Sequence, residues 1–318
     1  MKSGPTSPEK VASIDIGTNT ILLLIAEVEE GALKPLLEKE TIVRLGEGLQ
    51  KSGILSEGAM ERGIQTLDQY LKECQKMGVQ RIFAAGTSAL REARNSDHFL
   101  ERVEEKLNLS IEIISGEEEA QLSFLAVTRD LKESRKPILV IDVGGGSTEF
   151  ILGRGDRIIQ WVSLPLGSVR FTEQFLLSDP VHEEEWENME RQIQKLLVRI
   201  PHPKEPFLMV AVGGTATTLA SVEQGLAEFI LEKIHHFLLE KEALGRQLLL
   251  FGSKTIDERR KIPGLPAARA DVILAGGAIL YWAMEKLECP SVLISCHGVR
   301  YGLLYQRLKL VAPSKAHS

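Results

Sequence analysis

The chain has 318 residues and a formal net charge of −6, and its composition is 43% hydrophobic and 26% charged. This composition indicates a folded globular protein of two domains, argues against disorder and membrane spans, and the acidic balance argues against a nucleic-acid partner. Three scattered cysteines without a C-x-x-C pair indicate reduced thiols and a cytoplasmic location.

Strands and helices are predicted to alternate from the N-terminus onward. The apolar stretches "VASIDIG" and "ILLLIAEV" flank the turn residues Gly17–Thr20 and predict a β-hairpin. Apolar residues at spacings of three and four then predict a helix that is capped by Ser56 and ends at Gly78.

Two further strands, "RIFAAG" and "IEIIS", follow with a helix between them. Directly after them, Ser115 and Glu118 have the spacing of a capping box. This spacing places Glu119 in the first turn of a helix.

A polar stretch around residues 129–137 suggests a change of domain, because the pattern of strand, turn and strand then begins again. Residues 137–164 predict three antiparallel strands with a first turn at Gly144–Ser147. A helix is expected from about Pro180. Later, the buried strand "FLMVAV" leads through two glycines into a helix.

The sequence contains an internal repeat. "IDIGTNT" and "IDVGGGS" both begin with a strand that ends in an aspartate, followed by a glycine turn, and "VGGTAT" adds a third turn between a strand and a helix. Successive N–H groups in glycine turns form anion-binding concavities, so the repeat predicts phosphate loops facing each other across a cleft. The predicted phosphate-binding residues are Asp15, Gly17, Thr18, Asn19, Thr20, Gly144, Gly145, Gly146, Ser147, Gly213, Gly214 and Thr215.

Asp142 and Glu149 flank the second glycine turn. An acidic residue beside a phosphate requires a cation between them, so this pair predicts Mg²⁺ bound partly by carboxylates and partly by water and phosphate. Although seven positions separate the two residues, the turn reverses the chain and can bring them together. Taken alone, the stretch is equally compatible with a plain hairpin turn.

Seven motifs in order resemble the exopolyphosphatase/guanosine pentaphosphate phosphatase (Ppx/GppA) family of the actin/Hsp70/sugar-kinase superfamily. The resemblance implies an α/β fold with two ribonuclease-H-like, actin-like ATPase domains flanking an interdomain cleft. It extends from about Val11 to Leu308. The motifs are "IDIGTNT", "GTSALREARN", "EIISGEEEAQL", "VIDVGGGSTEF", "VGGTATTLA", "RADVILAGGAIL" and "HGVRYGLL".

The resemblance also implies roles for four residues. Glu119 corresponds to the catalytic base, Asp142 and Glu149 to the conserved acidic pair, and Arg91 to an active-site arginine. From the spacing alone, Glu119 is better interpreted as a member of a solvated acidic run, and Arg94 would serve as well as Arg91; the resemblance selects Glu119 and Arg91. An ionised carboxylate is favoured near a helix N-terminus, which suits Glu119 as a base.

The domains are expected at 1–127 and 128–299, with the C-terminal helix 300–318 packing back on the first domain by resemblance. The chain resembles the short, two-domain form of the family, and a homodimer is compatible with it. Gln121 stands where the family commonly has arginine, so a positive charge near the cleft would be missing.

The predicted function is that of an exopolyphosphatase, a Mg²⁺-dependent hydrolase that releases orthophosphate from inorganic polyphosphate. A pppGpp 5′-phosphohydrolase is the nearest alternative, because phosphate loops read phosphates and no guanine pocket is evident from the sequence. Further alternatives are a sensor that binds pppGpp or polyphosphate with weak turnover, and an actin-like sugar or acid kinase.

Two other pairs are expected to have no catalytic or metal role. Cys296 and His297 have no third partner for a thiol nucleophile. His235 and His236 are adjacent, so on a helix their side chains would diverge by about 100° and would hardly bind one metal together.

Overall fold

The computed structural model describes residues 9–29, 31–131 and 136–310, and its strands form two sheets. The strands are β1 (Glu9–Ile16), β2 (Thr20–Glu29), β3 (Ala32–Ile42), β4 (Arg81–Gly86), β5 (Glu112–Ile113), β6 (Ile138–Val143), β7 (Thr148–Arg154), β8 (Arg157–Leu164), β9 (Leu208–Val212), β10 (Leu238–Glu240) and β11 (Ser291–Ile294). The helices are α1 (Leu49–Ser52), α2 (Glu57–Met77), α3 (Ser88–Glu92), α4 (Ser96–Leu107), α5 (Gly116–Asp130), α6 (Ser168–Phe175), α7 (Glu183–Leu197), α8 (Gly213–Glu223), α9 (Leu231–Ile234), α10 (Lys241–Gly252), α11 (Ile256–Arg259), α12 (Ile273–Lys286) and α13 (Val299–Arg307).

The two sheets repeat one strand order. The first sheet runs β3-β2-β1-β4-β5, with β1 antiparallel to β2 and parallel to β4. The second sheet runs β8-β7-β6-β9-β11, with β6 antiparallel to β7 and parallel to β9, and β10 extends its far edge. The internal repeat of the sequence is therefore a repeat of topology, and the predicted α/β class is confirmed.

Both predicted hairpins form at the start of their sheets. In the second, Asp142 and Glu149 are direct cross-strand partners, as the predicted turn requires. In the first, Asp15 is paired with Leu22 instead. Directly opposed residues project from the same face of a sheet, so only the second hairpin presents two carboxylates together.

The last described helix, α13, packs against α5 and β1 of the first sheet, as the resemblance implies. Tyr301 and Leu304 join Val11, Leu24 and Ala126 in one buried cluster. The expected domain boundary at 127/128 falls inside α5, and that division of the chain stays a prediction. No helix among the described residues is both long enough and apolar enough to cross a membrane.

Three local expectations need correction. The helix expected from Pro180 begins at Glu183, where the Glu185 carboxylate accepts hydrogen bonds from the His182 and Ser178 N–H groups and so fixes the first turn. The strand expected at "IEIIS" shrinks to two residues, Glu112–Ile113. The capping box at Ser115 is half formed.

At that cap, the Ser115 Oγ accepts from the Glu118 N–H at 3.1 Å, as predicted. The Glu118 carboxylate does not return to the Ser115 backbone, because it pairs with Arg307 of α13 at 2.9 Å. The start of α5 is therefore capped by the serine and tied to α13 by an ion pair.

Candidate active site

The two hairpin turns meet at a cavity of about 90 Å³ between the sheets. All twelve predicted phosphate-binding residues line it, together with Glu119 and Asp142. Two predicted site residues, Arg91 and Glu149, do not line the cavity. The remaining lining residues are Leu22, Glu40, Thr87, Ser88, Val143, Ser168, Arg269 and Val299.

The two turns have the same geometry. The Gly17 N–H donates to the Thr20 carbonyl at 2.9 Å, and the Gly144 N–H donates to the Ser147 carbonyl at 3.0 Å. A Cβ at either glycine would lie 3.0 Å from that same carbonyl oxygen. Both turns therefore require glycine at the residue that follows the strand.

The middle glycines of the second turn lie against the first turn and the start of α3. A Cβ on Gly145 would lie 2.9 Å from the Thr18 Cβ, and one on Gly146 would lie 2.4 Å from the Ser88 Oγ. These two positions are therefore small because the two halves of the site touch there. The close approach of the two halves is therefore a second reason why Gly145 and Gly146 are glycines, in addition to the predicted approach of a phosphate.

Glu119 lies in the first turn of α5 and is buried, with 8% of its surface exposed. Its Oε2 accepts a hydrogen bond from Arg91 Nη1 at 2.9 Å, and the same nitrogen donates to the Ile114 carbonyl at 2.9 Å. Burial raises the pKa of Glu119 to about 7, against the opposing effect of Arg91. Arg91 thus contacts the predicted base directly, and its contact with phosphate stays a prediction.

Asp142 and Glu149 are each bonded to a serine of another element. The Ser123 hydroxyl donates to Asp142 Oδ2, and the Ser163 hydroxyl donates to Glu149 Oε1, both at 2.7 Å. Burial raises the pKa of both carboxyl groups, and the nearby charges of Glu119 and Asp142 raise that of Glu149 further. Glu149 is 1% exposed and lies behind the cavity wall.

Asp15 and Asn19 have buried polar atoms without a hydrogen-bond partner. These atoms are Oδ1 of Asp15 and both side-chain amide atoms of Asn19. Burial, then the charges of Glu119 and Asp142, raises the pKa of Asp15 to about 8. Buried polar atoms left without partners are costly, so these atoms indicate a ligand.

The carboxylates of the site fit a hard cation. Burial is the main cause of the raised pKa values of Asp15, Glu119 and Glu149, and the charges of neighbouring carboxylates raise them further. A set of carboxylate oxygens is the donor set that Mg²⁺ prefers. The residues present therefore fit the predicted metal, and which of them bind it stays a prediction.

Arg269 is the principal residue that the sequence analysis missed. It is 5% exposed, lines the cavity, and pairs with Glu40 at 2.6 Å. A Cβ on Gly214 would lie 2.0 Å from its guanidinium, so that glycine makes room for the arginine. The motif "RADVILAGGAIL" contains Arg269, and a lone arginine before an apolar helix was the available signal.

Two ion pairs join the halves of the protein at the cavity rim. Arg170 of α6 donates to both oxygens of Glu92 on α3 at 2.8 and 2.6 Å, and also to the Gly146 carbonyl at 2.6 Å. Arg44 pairs with Asp271 at 2.9 Å. These ion pairs connect the segments that follow the two hairpins.

A second cluster of ionisable groups lies away from the cavity and corrects one expectation. Asp130 accepts hydrogen bonds from His235 at 3.3 Å and His236 at 2.7 Å, because α9 ends at Ile234 and both rings stack on the same side. The predicted divergence of the two rings is therefore wrong. Asp130, His235 and His297 are spaced closely enough for a metal.

The hydrogen bonding of His235 argues against that metal. Its Nδ1 accepts the Cys296 N–H at 3.1 Å, so in the neutral ring the proton lies on Nε2, which faces Asp130. That nitrogen has no lone pair for a metal. The cluster is therefore a half-buried carboxylate held by imidazole donors, and the donors explain why the pKa of Asp130 is lowered to about 2 although its partial burial acts to raise it.

The remaining two expectations concern Cys296 and Gln121. Burial raises the pKa of Cys296 to about 12. Because the thiolate is the nucleophilic form, so high a pKa makes Cys296 a poor nucleophile at neutral pH. Gln121 is exposed, lies outside the cavity lining, and its amide donates to Glu117 at 3.4 Å.

Comparisons with known proteins agree with this geometry. Residues 24–311 match the sequence model of the Ppx/GppA phosphatase family. A bifunctional 3-dehydroquinate synthase/phosphatase of Fusobacterium nucleatum subsp. nucleatum is 38% identical over 299 residues, which cover 89% of this chain and 44% of that protein. The chain thus spans less than half the length of this curated relative.

Two solved structures extend the comparison. A Ppx/GppA family member of Aquifex aeolicus is 34% identical, covering 98% of this chain and 100% of that one, with a TM-score of 0.80. An exopolyphosphatase of Cytophaga hutchinsonii is 27% identical, covering 95% and 98%, with a TM-score of 0.86. These similarities confirm the predicted fold, two actin-like domains of the ribonuclease-H-like type.

Proposed function

Because the chain belongs to the Ppx/GppA phosphatase family, we propose that it is an exopolyphosphatase that releases terminal orthophosphate from inorganic polyphosphate. The observation that carries the proposal is the cavity where Glu119, paired with Arg91, lies among three phosphate-type turns. The resemblance to the exopolyphosphatase of Cytophaga hutchinsonii supports the choice of substrate.

Glu119 would be the general base. It takes a proton from a water molecule, and a pKa of about 7 is close to the optimum for proton transfer at neutral pH. Arg91 favours the ionised form of Glu119 and fixes its orientation through the bond to Oε2. The position of Glu119 in the first turn of α5 adds the favourable field of a helix N-terminus.

The three turns would hold the phosphates. Gly17–Thr20 and Gly144–Ser147 reach the cavity from opposite sides, and Gly213–Thr215 begins α8 beside them. Arg269 adds a buried positive charge at the same wall. Phosphoryl transfer depends mainly on positioning and charge neutralisation, and these groups supply both.

Asp142 and Glu149 would hold Mg²⁺, with Asp15 as a further nearby carboxylate. When bound, Mg²⁺ neutralises phosphate charge and polarises the phosphoryl oxygens. The serine donors on Asp142 and Glu149 limit the rotation of these carboxylates, and the partner-free Oδ1 of Asp15 points to a ligand on its side of the cavity.

Hydrolysis of pppGpp is a second candidate because a cavity of about 880 Å³ adjoins the site. Both cavities include Glu40 in their walls. The larger one combines apolar side chains such as Phe229, which is 59% exposed, with the cations Arg260 and Lys261. A purine could stack on such a wall, whereas an inorganic chain would contact only the cations.

The test is orthophosphate release by the purified protein with Mg²⁺ from short polyphosphate, long polyphosphate, pppGpp and ATP, each beside Glu119→Ala. Glu119-dependent release from polyphosphate is expected. A preference for pppGpp that Phe229→Ala removes would instead select the second candidate. Binding without turnover would contradict both and leave a sensor.

A further inference from the structure

Two carboxylates at the site, the half-buried Asp142 and the buried Glu149, each accept a hydrogen bond from a serine of a separate element. Ser123 lies on α5, is 0% exposed, and its Oγ lies 2.7 Å from Asp142 Oδ2. Ser163 lies on β8, and its Oγ lies 2.7 Å from Glu149 Oε1. Neither serine lines the cavity, so neither is placed to touch a substrate.

The bond from Ser123 distinguishes the two oxygens of Asp142. Oδ2 is engaged by the serine, whereas Oδ1 lies beside Gly213, where a Cβ would come within 2.9 Å of it. Gly213 has φ of 87° and lines the cavity, so the backbone there is open to the carboxylate. Oδ1 is therefore the oxygen left for a ligand.

The position of Ser123 also connects two parts of the site. It follows Glu119 by four residues on α5, so both side chains lie on the same face of the helix. One helix therefore carries the proposed base and, one turn later, the donor that fixes Asp142 on β6. A shift of α5 would move both groups together.

We propose that Ser123 is a positioning residue that orients Asp142 so that Oδ1 is presented to a divalent cation, and that Ser163 fixes the orientation of Glu149, the cross-strand partner of Asp142. The inference rests on the proposed function in one respect, that these carboxylates bind Mg²⁺. Hydrogen bonds from outer residues to ligating carboxylates fix the ligand geometry, and their loss typically costs ~10–100-fold in metal affinity or activity.

The experiment measures Mn²⁺ affinity by electron paramagnetic resonance, with Mn²⁺ replacing Mg²⁺, in the full chain. Ser123→Ala is expected to weaken Mn²⁺ binding about tenfold and to lower kcat by a similar factor, with KM changed less than about twofold. Ser123→Cys keeps the size and a weak donor, so it is expected to lie between Ser123→Ala and the wild type.

Thr128→Val is the matched control. Thr128 is buried on the same helix, and its hydroxyl donates only to the Phe124 and Leu125 carbonyls among the described contacts. Its loss is expected to leave Mn²⁺ affinity within about twofold of the wild type. Ser163→Ala supplies a second, independent variant on β8 should Ser123→Ala prove unstable.

The outcomes separate the two hypotheses. Unchanged Mn²⁺ affinity in Ser123→Ala and Ser163→Ala, an equal loss in Thr128→Val, or no Mn²⁺ binding by the wild type would each overturn the positioning role. Should the wild type bind Mn²⁺ but release no phosphate from any anhydride, the proposed function fails. The affinity ratio of Ser123→Ala to wild type then still decides the role of Ser123.

Discussion

The first and second hairpin turns share one backbone geometry but differ in their charges. Both turns close through the same glycine N–H to carbonyl bond, and both strands carry a half-buried aspartate as their next-to-last residue. The residue paired with Asp15 across the hairpin is Leu22, whereas the residue paired with Asp142 is Glu149. A duplicated turn therefore carries one carboxylate in the first sheet and two in the second.

The two aspartates also differ in their hydrogen bonding. Asp142 receives the Ser123 hydroxyl, whereas Oδ1 of Asp15 is buried without a partner. A donor favours the ionised carboxylate, and burial without one favours the neutral acid. Under the proposed function, the second turn would hold the cation, and the first would contribute mainly backbone and amide groups to a phosphate.

The largest effect is expected for Glu119, the proposed general base in the first turn of α5. Glu119→Gln should lower phosphate release by about 10²–10⁴, because a neutral amide cannot accept the proton of the attacking water. The measurement is steady-state orthophosphate release with Mg²⁺, beside substrate binding by calorimetry. Retained binding with lost turnover is expected, and near wild-type turnover would show that another group is the base.

The second prediction tests whether Asp142 contributes more to the rate of phosphate release than Asp15. Asp142→Asn should lower the rate about 100-fold, whereas Asp15→Asn should lower it less than about tenfold. The physical reason is that burial raises the pKa of Asp15 to about 8, so at pH 7 without a cation it is largely the neutral acid, which asparagine resembles. Equal losses in the two variants would remove the distinction between the turns.

Much of this comparison was available from the sequence. The alternation of apolar residues and the glycine turns predicted both hairpins, and the turn explained how Asp142 and Glu149 become cross-strand partners. The twelve residues of the three turns were predicted, and all of them line one cavity. Local patterns determine turns well because backbone conformation depends on a few neighbouring residues.

Contacts between residues that are far apart in the sequence could not be predicted from it. Arg269 reaches the cavity only because Gly214 leaves room for it, and Ser123 reaches Asp142 only because α5 packs beside β6. The stacking of the His235 and His236 rings was not predicted, because α9 ends at Ile234 and both histidines lie beyond it. His236 has a φ of 64°, which is not helical. No periodicity in the sequence encodes these juxtapositions.

The third prediction concerns the contact between the turns. Gly146→Ala would place a Cβ 2.4 Å from the Ser88 Oγ of α3 and 3.0 Å from the Thr18 Oγ1 of the first turn, so the two turns should shift apart and activity should fall about tenfold. Gly252→Ala at the end of α10 is the control, because a Cβ there meets no atom within 4 Å. Small-angle scattering should show a wider particle for Gly146→Ala alone, and equal scattering and activity would contradict the contact.

The fourth prediction uses the pH dependence of stability to test the raised pKa values of Asp15 and Glu119. The folded pKa values of Asp15, about 8, and Glu119, about 7, lie above the unfolded values of 3.8 and 4.5. The folded state therefore keeps protons that the unfolded state loses, so the stabilisation present below about pH 4 is lost as pH rises toward 8. With EDTA, Tm should fall between pH 5 and pH 8.

Two controls belong to that titration. Mg²⁺ should reduce the fall in Tm at pH 8, because a bound cation favours the ionised carboxylates. Asp15→Asn should flatten the profile, because it removes one of the groups that lose a proton. Asp130, whose pKa is lowered to about 2, changes stability only below about pH 4 and does not interfere. A flat wild-type profile would show that burial does not raise the pKa values of these carboxyl groups in the folded state.

The smallest effect is expected at the rim, where the two halves are joined by Arg170 and Glu92. Glu92 is 38% exposed, so the pair should contribute only about 0.5–1 kcal/mol to the free energy of unfolding. Arg170 also donates to the Gly146 carbonyl, so it supports the second turn in addition to pairing with Glu92. Glu92→Gln should therefore change KM and its salt dependence slightly, whereas Arg170→Met should also lower kcat. If the two variants behaved alike, the bond from Arg170 to Gly146 would have no separate effect on the turn.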